Sequence, residues 1–170
     1  VIEPFYVREM GKAAQSLAQQ LSPNDAPLIA LNIGEPDEKA APLVERAAQE
    51  AIARGDSAYT PALGLPQLRE RISHWYASHM QLSISPDRIV ITAGASAGLL
   101  LACLAWLDSG DEVLMPDPCY PCNRQFVRAA NARAKLIPTE AADRFQLSAQ
   151  QVREHWGPHT RGVLLASPSN

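Results

Sequence analysis

The stretch RIVITAGASAGLLLACLAWLDSGDEVLMPDPCYP, residues 88–121, decides the fold class of this chain. RIVITA is a short apolar run, GASAGLLLACLAWL is a longer one that opens with small residues, and DEVLMPD is a second short run. Short runs bounded by turn residues are typical of buried strands, whereas the longer run is typical of a helix. The stretch therefore predicts a strand at 88–93, a helix at 94–107 and a strand at 111–117.

The same alternation continues to the end of the chain. AKLIPT (134–139) and RGVLLASPSN (161–170) read as strands, and the segments 121–132 and 148–157 read as helices. This repeated order predicts an α/β fold with a mostly parallel sheet and helices on both faces. Ligands of such sheets bind beyond the carboxyl ends of the strands. A ligand site is therefore expected among the residues that follow the strands.

Upstream of residue 88 the pattern is mainly helical. The first segment has apolar residues at helical spacing, at Val7, Met10, Ala14, Leu17 and Leu21. Further helices are predicted at 41–55, where Pro42 opens and Gly55 stops the helix, and at 66–80. Between them PLIALNI (27–33) has the composition of a buried strand, ended by the turn residues GEPD.

The composition is that of an ordinary globular protein, with 46% hydrophobic and 19% charged residues and a net charge of -3 over 170 residues. No basic cluster indicates nucleic-acid binding, and no membrane span or signal peptide is evident. The lack of both predicts a cytoplasmic location, and three cysteines, two of them close in sequence, indicate reduced thiols. The start at Val1 and the end at Asn170, directly after an apolar stretch, lead us to expect a part of a longer protein.

Three small residues, Gly94, Ala95 and Ser96, open the helix that follows the strand predicted at 88–93. A helix N-terminus offers unpaired N–H groups and the positive end of the helix dipole, so a phosphate would fit there. Small residues would let the backbone approach the anion. The alternative is that they only let the helix pack tightly on the sheet, since neither common phosphate-loop pattern matches.

The octapeptide PDPCYPCN (116–123) has two interpretations. Cys119 and Cys122 have the C-x-x-C spacing of a thiol redox centre or of half a zinc site. Alternatively, neighbouring prolines hold the ring of Tyr120 out as a stacking surface for a flat ligand. At the last strand end, Asn170 would add an amide, or is an ordinary turn residue. Together, the strand ends are consistent with a pocket for a flat, phosphorylated heteroaromatic ring.

Several motifs resemble, in order and spacing, the N-terminal and central part of the fold-type I, class I/II aminotransferases that use pyridoxal phosphate. They are EPFYVREMGKAAQSL, LNIGEPD, YTPALGLPQLRERISHWY, IVITAGASAGLLLACLAWLDSGDEVLMPDPCYP and GVLLASPSN. The resemblance implies an enzyme that moves an amino group between an amino acid and a 2-oxo acid, as a homodimer without a metal. It also implies that residues 1–40 are an arm and small-domain or dimer segment, and that 41–170 are part of the large cofactor-binding domain.

The resemblance assigns cofactor contacts to three strand ends. Gly94–Ser96 correspond to the segment whose backbone N–H groups hold the phosphate. Tyr120 corresponds to the aromatic residue stacked on the pyridine ring, which favours the ring over the thiols in the octapeptide. Asn170 corresponds to the asparagine whose amide contacts the phenolic oxygen of the cofactor.

Two further roles follow from the resemblance. Tyr59 corresponds to the tyrosine that reaches the cofactor phosphate of the partner subunit, and Gly34 to the glycine that lies against the substrate carboxylate. The residues EKAAP after Asp37 depart from the usual family pattern, which leaves the substrate open.

The resemblance also implies that no catalytic residue lies in this chain, because the lysine that forms the Schiff base lies downstream in the family. Lys12, Lys39 and Lys135 are expected to be solvated surface charges. Three alternatives stay open: a carbon-sulfur lyase or synthase of the same fold, a truncated α/β module without catalysis, and a thiol oxidoreductase.

Overall fold

The computed structural model describes residues 6–22, 24–34 and 36–169. These residues fall into two compact units, one running from 7 to 92 and the other built on the chain from 93 onward. The structure contains six α-helices in the described residues: α1 (Tyr6–Ala18), α2 (Pro42–Ala53), α3 (Pro66–Met80), α4 (Gly94–Trp106), α5 (Cys122–Ala129) and α6 (Ala149–His155). None of these helices has the length and apolar character that crossing a bilayer requires.

The second unit contains a parallel sheet of three strands, β1 (Glu112–Asp117), β2 (Arg133–Pro138) and β3 (Thr160–Val163). The strand order is β2-β1-β3, so β1 is central and β3 lies at an edge of the sheet in the described residues. Parallel strands need crossover connections, and here α5 links β1 to β2 while α6 lies between β2 and β3. The predicted α/β fold with a parallel sheet is confirmed.

Helices cover both faces of this sheet. Successive side chains of β1 point to opposite faces, so Val113 and Met115 share one face. There they form a core with Cys103 of α4 and Val127 of α5. On the other face Lys135, the register partner of Leu114, donates a hydrogen bond of 2.7 Å to the His155 carbonyl at the end of α6. The expectation of helices on both faces is therefore confirmed.

Two predicted strands are wrong. Residues 27–33 and 88–93 form no strand, and in the first segment Ile29 and Leu31 are largely exposed rather than buried. A strand needs a neighbour whose backbone pairs with it, and no described segment pairs with either stretch. In the second stretch the Ile91 N–H instead donates to the carbonyl of Leu63, at 3.0 Å, in the preceding loop.

The predicted helices are confirmed, and their ends follow turn chemistry. Pro42 and Pro66 are the first residues of α2 and α3, where the missing N–H of proline costs no hydrogen bond. Gly55 follows α2 with a φ of +78°. The prediction for α1 extended to Leu21, but the helix ends at Ala18.

Candidate functional site

The N-terminus of α4 begins at a glycine with space beside it. Gly94, its first residue, has a φ of +82°, and a Cβ built there would meet nothing within 4 Å. The preceding residue, Ala93, offers no side-chain cap, and Ala95 and Ser96 are exposed. The first turn of a helix carries the positive end of the helix dipole, which makes a helix N-terminus a favourable place for an anion.

Tyr120 lies three residues after the end of β1 and two residues before the start of α5. Its carbonyl accepts the Asn123 N–H at 3.1 Å, which closes the turn that starts α5, and its side chain is half-buried. Hydrogen bonding with Cys122, together with burial and the nearby Cys122 charge, raises the pKa of Tyr120. The phenol therefore stays neutral at physiological pH, and its ring can act as a flat apolar surface.

A charged pair beside Tyr120 was not singled out from the sequence. Arg124, in the first turn of α5, lies 3.8 Å from Asp117, the last residue of β1. The Arg124 Nε is buried and has no hydrogen-bond partner in the described residues. The Asp117 carbonyl accepts the backbone N–H of Thr139 at 2.9 Å, which ties this end of β1 to β2. The sequence signal was a carboxylate at a strand end followed by an arginine in the next helix.

The thiol of Cys119, beside Tyr120, lacks the lowered pKa of an activated redox cysteine. Cys119 and Cys122 are both unpaired and half-buried. Burial raises the pKa of Cys119, and Asp117 adds to this, whereas Arg124 opposes it. Reactive cysteines need a lowered pKa, because the thiolate is the nucleophile. The described residues contain no group of three or more His, Cys, Asp or Glu side chains arranged to hold a metal ion, so the metal interpretation gains no support.

The structure brings some of the predicted site residues into one unit. Gly94–Ser96 open α4, Tyr120 precedes α5, and these two helices pack against each other. Gly34 and Tyr59 lie in the unit of residues 7–92, where both are exposed and Tyr59 is fully so. Asn170 lies outside the described residues.

Two of the three lysines agree with the expectation of surface charges, and one does not. Lys12 and Lys39 are exposed. Lys135 is partly buried, with its Nζ 3.4 Å from a carboxylate oxygen of the buried Glu112. The expectation that Lys135 is a solvated surface charge is wrong, because strand pairing sets it beside a carboxylate from a distant part of the sequence.

An open parallel α/β sheet with a helix that begins at a glycine and an aromatic residue after a strand is a unit suited to a flat phosphorylated ligand. Comparison with known proteins identifies its family: residues 26–170 match the family described as aminotransferase class I and II. The chain belongs to this family, which uses pyridoxal phosphate, as the resemblance implied.

Individual relatives agree with this assignment. The chain is 39% identical over 169 residues to a valine–pyruvate aminotransferase of Mycobacterium tuberculosis, which covers 99% of this chain and 42% of the relative. It is 38% identical to an aspartate aminotransferase of Rhizobium meliloti, covering 85% of this chain and 35% of the relative. The chain therefore spans about two fifths of the length of the curated relatives it matches.

Solved structures show the same fold. A mutant aspartate aminotransferase of Thermus thermophilus superposes with a TM-score of 0.90 at 30% identity, covering all of this chain and 44% of that one. An aminotransferase of Mycobacterium tuberculosis gives a TM-score of 0.89 at 37% identity, covering 99% of this chain and 42% of that one.

Proposed function

We propose that the protein to which this chain belongs transfers an amino group between an amino acid and a 2-oxo acid, with pyridoxal phosphate as its cofactor. The observation that carries this proposal is that α4 begins at Gly94, where a Cβ would meet nothing within 4 Å, in a chain of the aminotransferase family. The names of the relatives include both valine–pyruvate and aspartate aminotransferases, so they support the substrate class rather than one substrate.

In this proposal Gly94–Ser96 hold the cofactor phosphate through backbone N–H groups. The absence of a side chain at Gly94 supports this role, because it leaves space where a Cβ would stand. Tyr120 packs against the ring of the cofactor, as its neutral and half-buried ring supports. The cofactor supplies an electron sink for the carbon that bears the amino group. The residues of this chain bind and orient it.

The remaining assignments extend the proposal beyond this unit. We propose that the protein is a homodimer in which Tyr59 reaches the cofactor phosphate of the partner subunit, and its full exposure supports this role. Gly34 borders the substrate carboxylate, and Asn170 contacts the phenolic oxygen of the cofactor. Residues 1–40 form the arm and small-domain or dimer segment, and 41–170 form part of the large domain. A cytoplasmic location is proposed on the three unpaired cysteines.

The test uses the complete natural protein with an amino acid, a 2-oxo acid and two variants at one position. Tyr120→Ala removes the ring and should weaken cofactor binding about three- to tenfold, the range expected for an aromatic stacking contact. Tyr120→Phe keeps the ring and should bind the cofactor as the wild type does. Equal cofactor affinity in all three proteins would contradict the stacking role.

The products of the same assay test the reaction itself. Formation of a new amino acid from the added 2-oxo acid is the expected result. Release of ammonia with pyruvate, without a new amino acid, would instead identify a carbon-sulfur lyase of the same fold. If neither product forms although the cofactor binds, the transfer reaction proposed here is contradicted.

A further inference from the structure

The two cysteines that flank Tyr120 have no part in the proposed reaction. Cys119 and Cys122 are unpaired and half-buried, so small molecules can reach them from solvent. The other cysteine, Cys103, is buried in the core between α4 and the sheet. Cys119 and Cys122 therefore differ from Cys103 in being partly exposed and in having another cysteine three residues away.

The backbone turns between the two cysteines. The Asn123 N–H donates to the Tyr120 carbonyl at 3.1 Å, so the chain turns over residues 120–123. The thiol of Cys119 donates to the same carbonyl, with the sulfur 3.7 Å from the oxygen. Cys119 directly precedes this turn and Cys122 lies within it. In an extended chain, residues three apart would be about 10 Å apart, beyond the Cα separation that a disulfide allows, so a bend in the chain at this point is required.

The charges around Cys119 determine how fast its thiol can react. Burial raises its pKa; the Arg124 guanidinium opposes this, and the Asp117 carboxylate adds to it. Because thiol–disulfide exchange proceeds through the thiolate, exchange at Cys119 is slow at neutral pH and accelerates as the pH rises toward the thiol pKa.

We propose that Cys119 and Cys122 are a reversible disulfide site, which forms by exchange with a low-molecular-weight disulfide such as oxidised glutathione and closes the loop around Tyr120. One cysteine attacks the small disulfide, breaks its S–S bond and releases one small thiol. The second cysteine then attacks this mixed disulfide, forms the Cys119–Cys122 bond and releases a second small thiol. Two protein thiols are oxidised, one small disulfide is reduced, and the two protons end on the released thiols.

The disulfide alters the position of the Tyr120 ring. In the reduced protein the phenol of Tyr120 interacts with the Cys122 thiol, and the Tyr120 carbonyl accepts the Cys119 thiol. Closing the disulfide removes both thiol hydrogens and pulls the two side chains toward each other across the turn. The oxidised protein should therefore bind the cofactor more weakly, a consequence that rests on the proposed function.

The complete protein is equilibrated with graded ratios of reduced and oxidised glutathione, quenched in acid, alkylated and analysed by peptide mass spectrometry. We expect the peptide with both cysteines to become lighter by two hydrogen atoms, faster at alkaline than at neutral pH. Cys119→Ser and Cys122→Ser should each carry only a glutathione adduct, and the control Cys103→Ala should form the disulfide as the wild type does. Mixed adducts without the lighter peptide in the wild type would overturn the disulfide site.

Cofactor affinity of the oxidised and reduced proteins tests the consequence separately. We expect a several-fold weaker affinity after oxidation, restored by reductant and absent in Cys119→Ser. Equal affinities in a protein that carries the disulfide would overturn the effect on Tyr120. Loss of cofactor binding in both forms would contradict the proposed function instead, while the peptide masses still decide whether the disulfide forms.

Discussion

The missing side chain of Gly94 can be tested for a role in phosphate binding, with Gly110 as a matched control. Both lie in the unit that begins at residue 93, both have positive φ values (+82° and +91°), and a Cβ at either would meet nothing within 4 Å. A substitution to alanine should therefore cost the same backbone strain at each position, about 1 kcal/mol. Only Gly94 opens α4, so only there would the new Cβ occupy the proposed phosphate position.

We expect Gly94→Ala to weaken pyridoxal phosphate binding about tenfold or more, through the loss of a charge-assisted hydrogen bond worth roughly 1.5–3 kcal/mol. Gly110→Ala should lose a similar amount of stability and keep its affinity. Fluorescence titration of the cofactor and urea unfolding of both variants measure the two effects. A similar loss of affinity in both variants would mean that backbone strain, not the phosphate position, is responsible.

The sequence predicted the positions of individual residues well where those positions depend on neighbours in the chain. Gly94 and Tyr120 were singled out by their places at a helix start and a strand end, and the structure has both there. The burial and ion pairing of a side chain depend instead on contacts that the fold creates. Lys135 was misjudged because its carboxylate partner, Glu112, comes from another strand. Arg124 was overlooked although its partner Asp117 is close in sequence, because the turn between β1 and α5 brings the two side chains together.

At the scale of elements, helices were predicted better than strands. A helix satisfies its own backbone hydrogen bonds, so a proline at the start and a glycine after the end are enough to fix α2. A strand depends on its neighbour. The stretches 27–33 and 88–93 have strand composition, but no described segment pairs with them. Local sequence does not contain this information.

The close approach of Gly64 to Ile91 allows a test of how strongly the segment 88–93 packs against the loop that contains Gly64. Gly64 is buried with a φ of +95°, and an added Cβ would collide with the Ile91 side chain. Gly55 has a similar φ of +78° but nothing within 4 Å of an added Cβ, so it isolates the cost of backbone strain. We expect Gly64→Ala to lower the free energy of unfolding by about 2–4 kcal/mol, strain plus overpacking. Gly55→Ala should cost about 1 kcal/mol.

Urea unfolding of the two glycine variants measures this difference. The contact with Ile91 predicts that Gly64→Ala is clearly less stable than Gly55→Ala. Equal stabilities would show that the loop moves away from Ile91 without cost, and that the close approach does not hold the segment.

Glu112 joins the three strands at their amino ends. It is 3% exposed and accepts hydrogen bonds from Arg133 of β2 and Thr160 of β3, with Lys135 nearby. Burial by itself would raise its pKa, but these partners together outweigh burial and hold the pKa below its usual value. Its stabilising contribution is therefore complete above the ordinary glutamate pKa and is lost as the pH falls through the lower, folded-state value.

We expect Glu112→Gln to lower the free energy of unfolding at neutral pH by about 1–3 kcal/mol, the cost of weakening a buried charged hydrogen-bond network. The difference from the wild type should shrink as the pH falls below the glutamate pKa. The exposed Glu154 provides the control, since Glu154→Gln should change stability little. A Glu112→Gln deficit that is constant across this pH range would contradict the lowered pKa.

At the scale of the whole molecule, each unit leaves large apolar side chains exposed. In the unit of residues 7–92, Ile29 is 78% and Leu31 is 90% exposed. In the other unit Trp106 is 81% exposed and borders an apolar cavity of about 370 Å³ beside β3. Surfaces of this kind are normally covered by other protein.

We therefore expect the 170-residue chain by itself to bind the dye ANS, to self-associate as its concentration rises, and to melt without a sharp transition. Dye fluorescence, sedimentation velocity and calorimetry measure the three properties. A monodisperse chain with a sharp cooperative melt and no dye binding would contradict this expectation.

The central claim is that Gly94–Ser96 and Tyr120 form the phosphate and ring contacts of one cofactor site. The most direct measurement is the electron density of the complete protein crystallised with pyridoxal phosphate. We expect the phosphate at the N-terminus of α4, bonded to backbone N–H groups, with the Tyr120 ring against the pyridine ring. A phosphate bound elsewhere, or a pyridine ring out of contact with Tyr120, would contradict it.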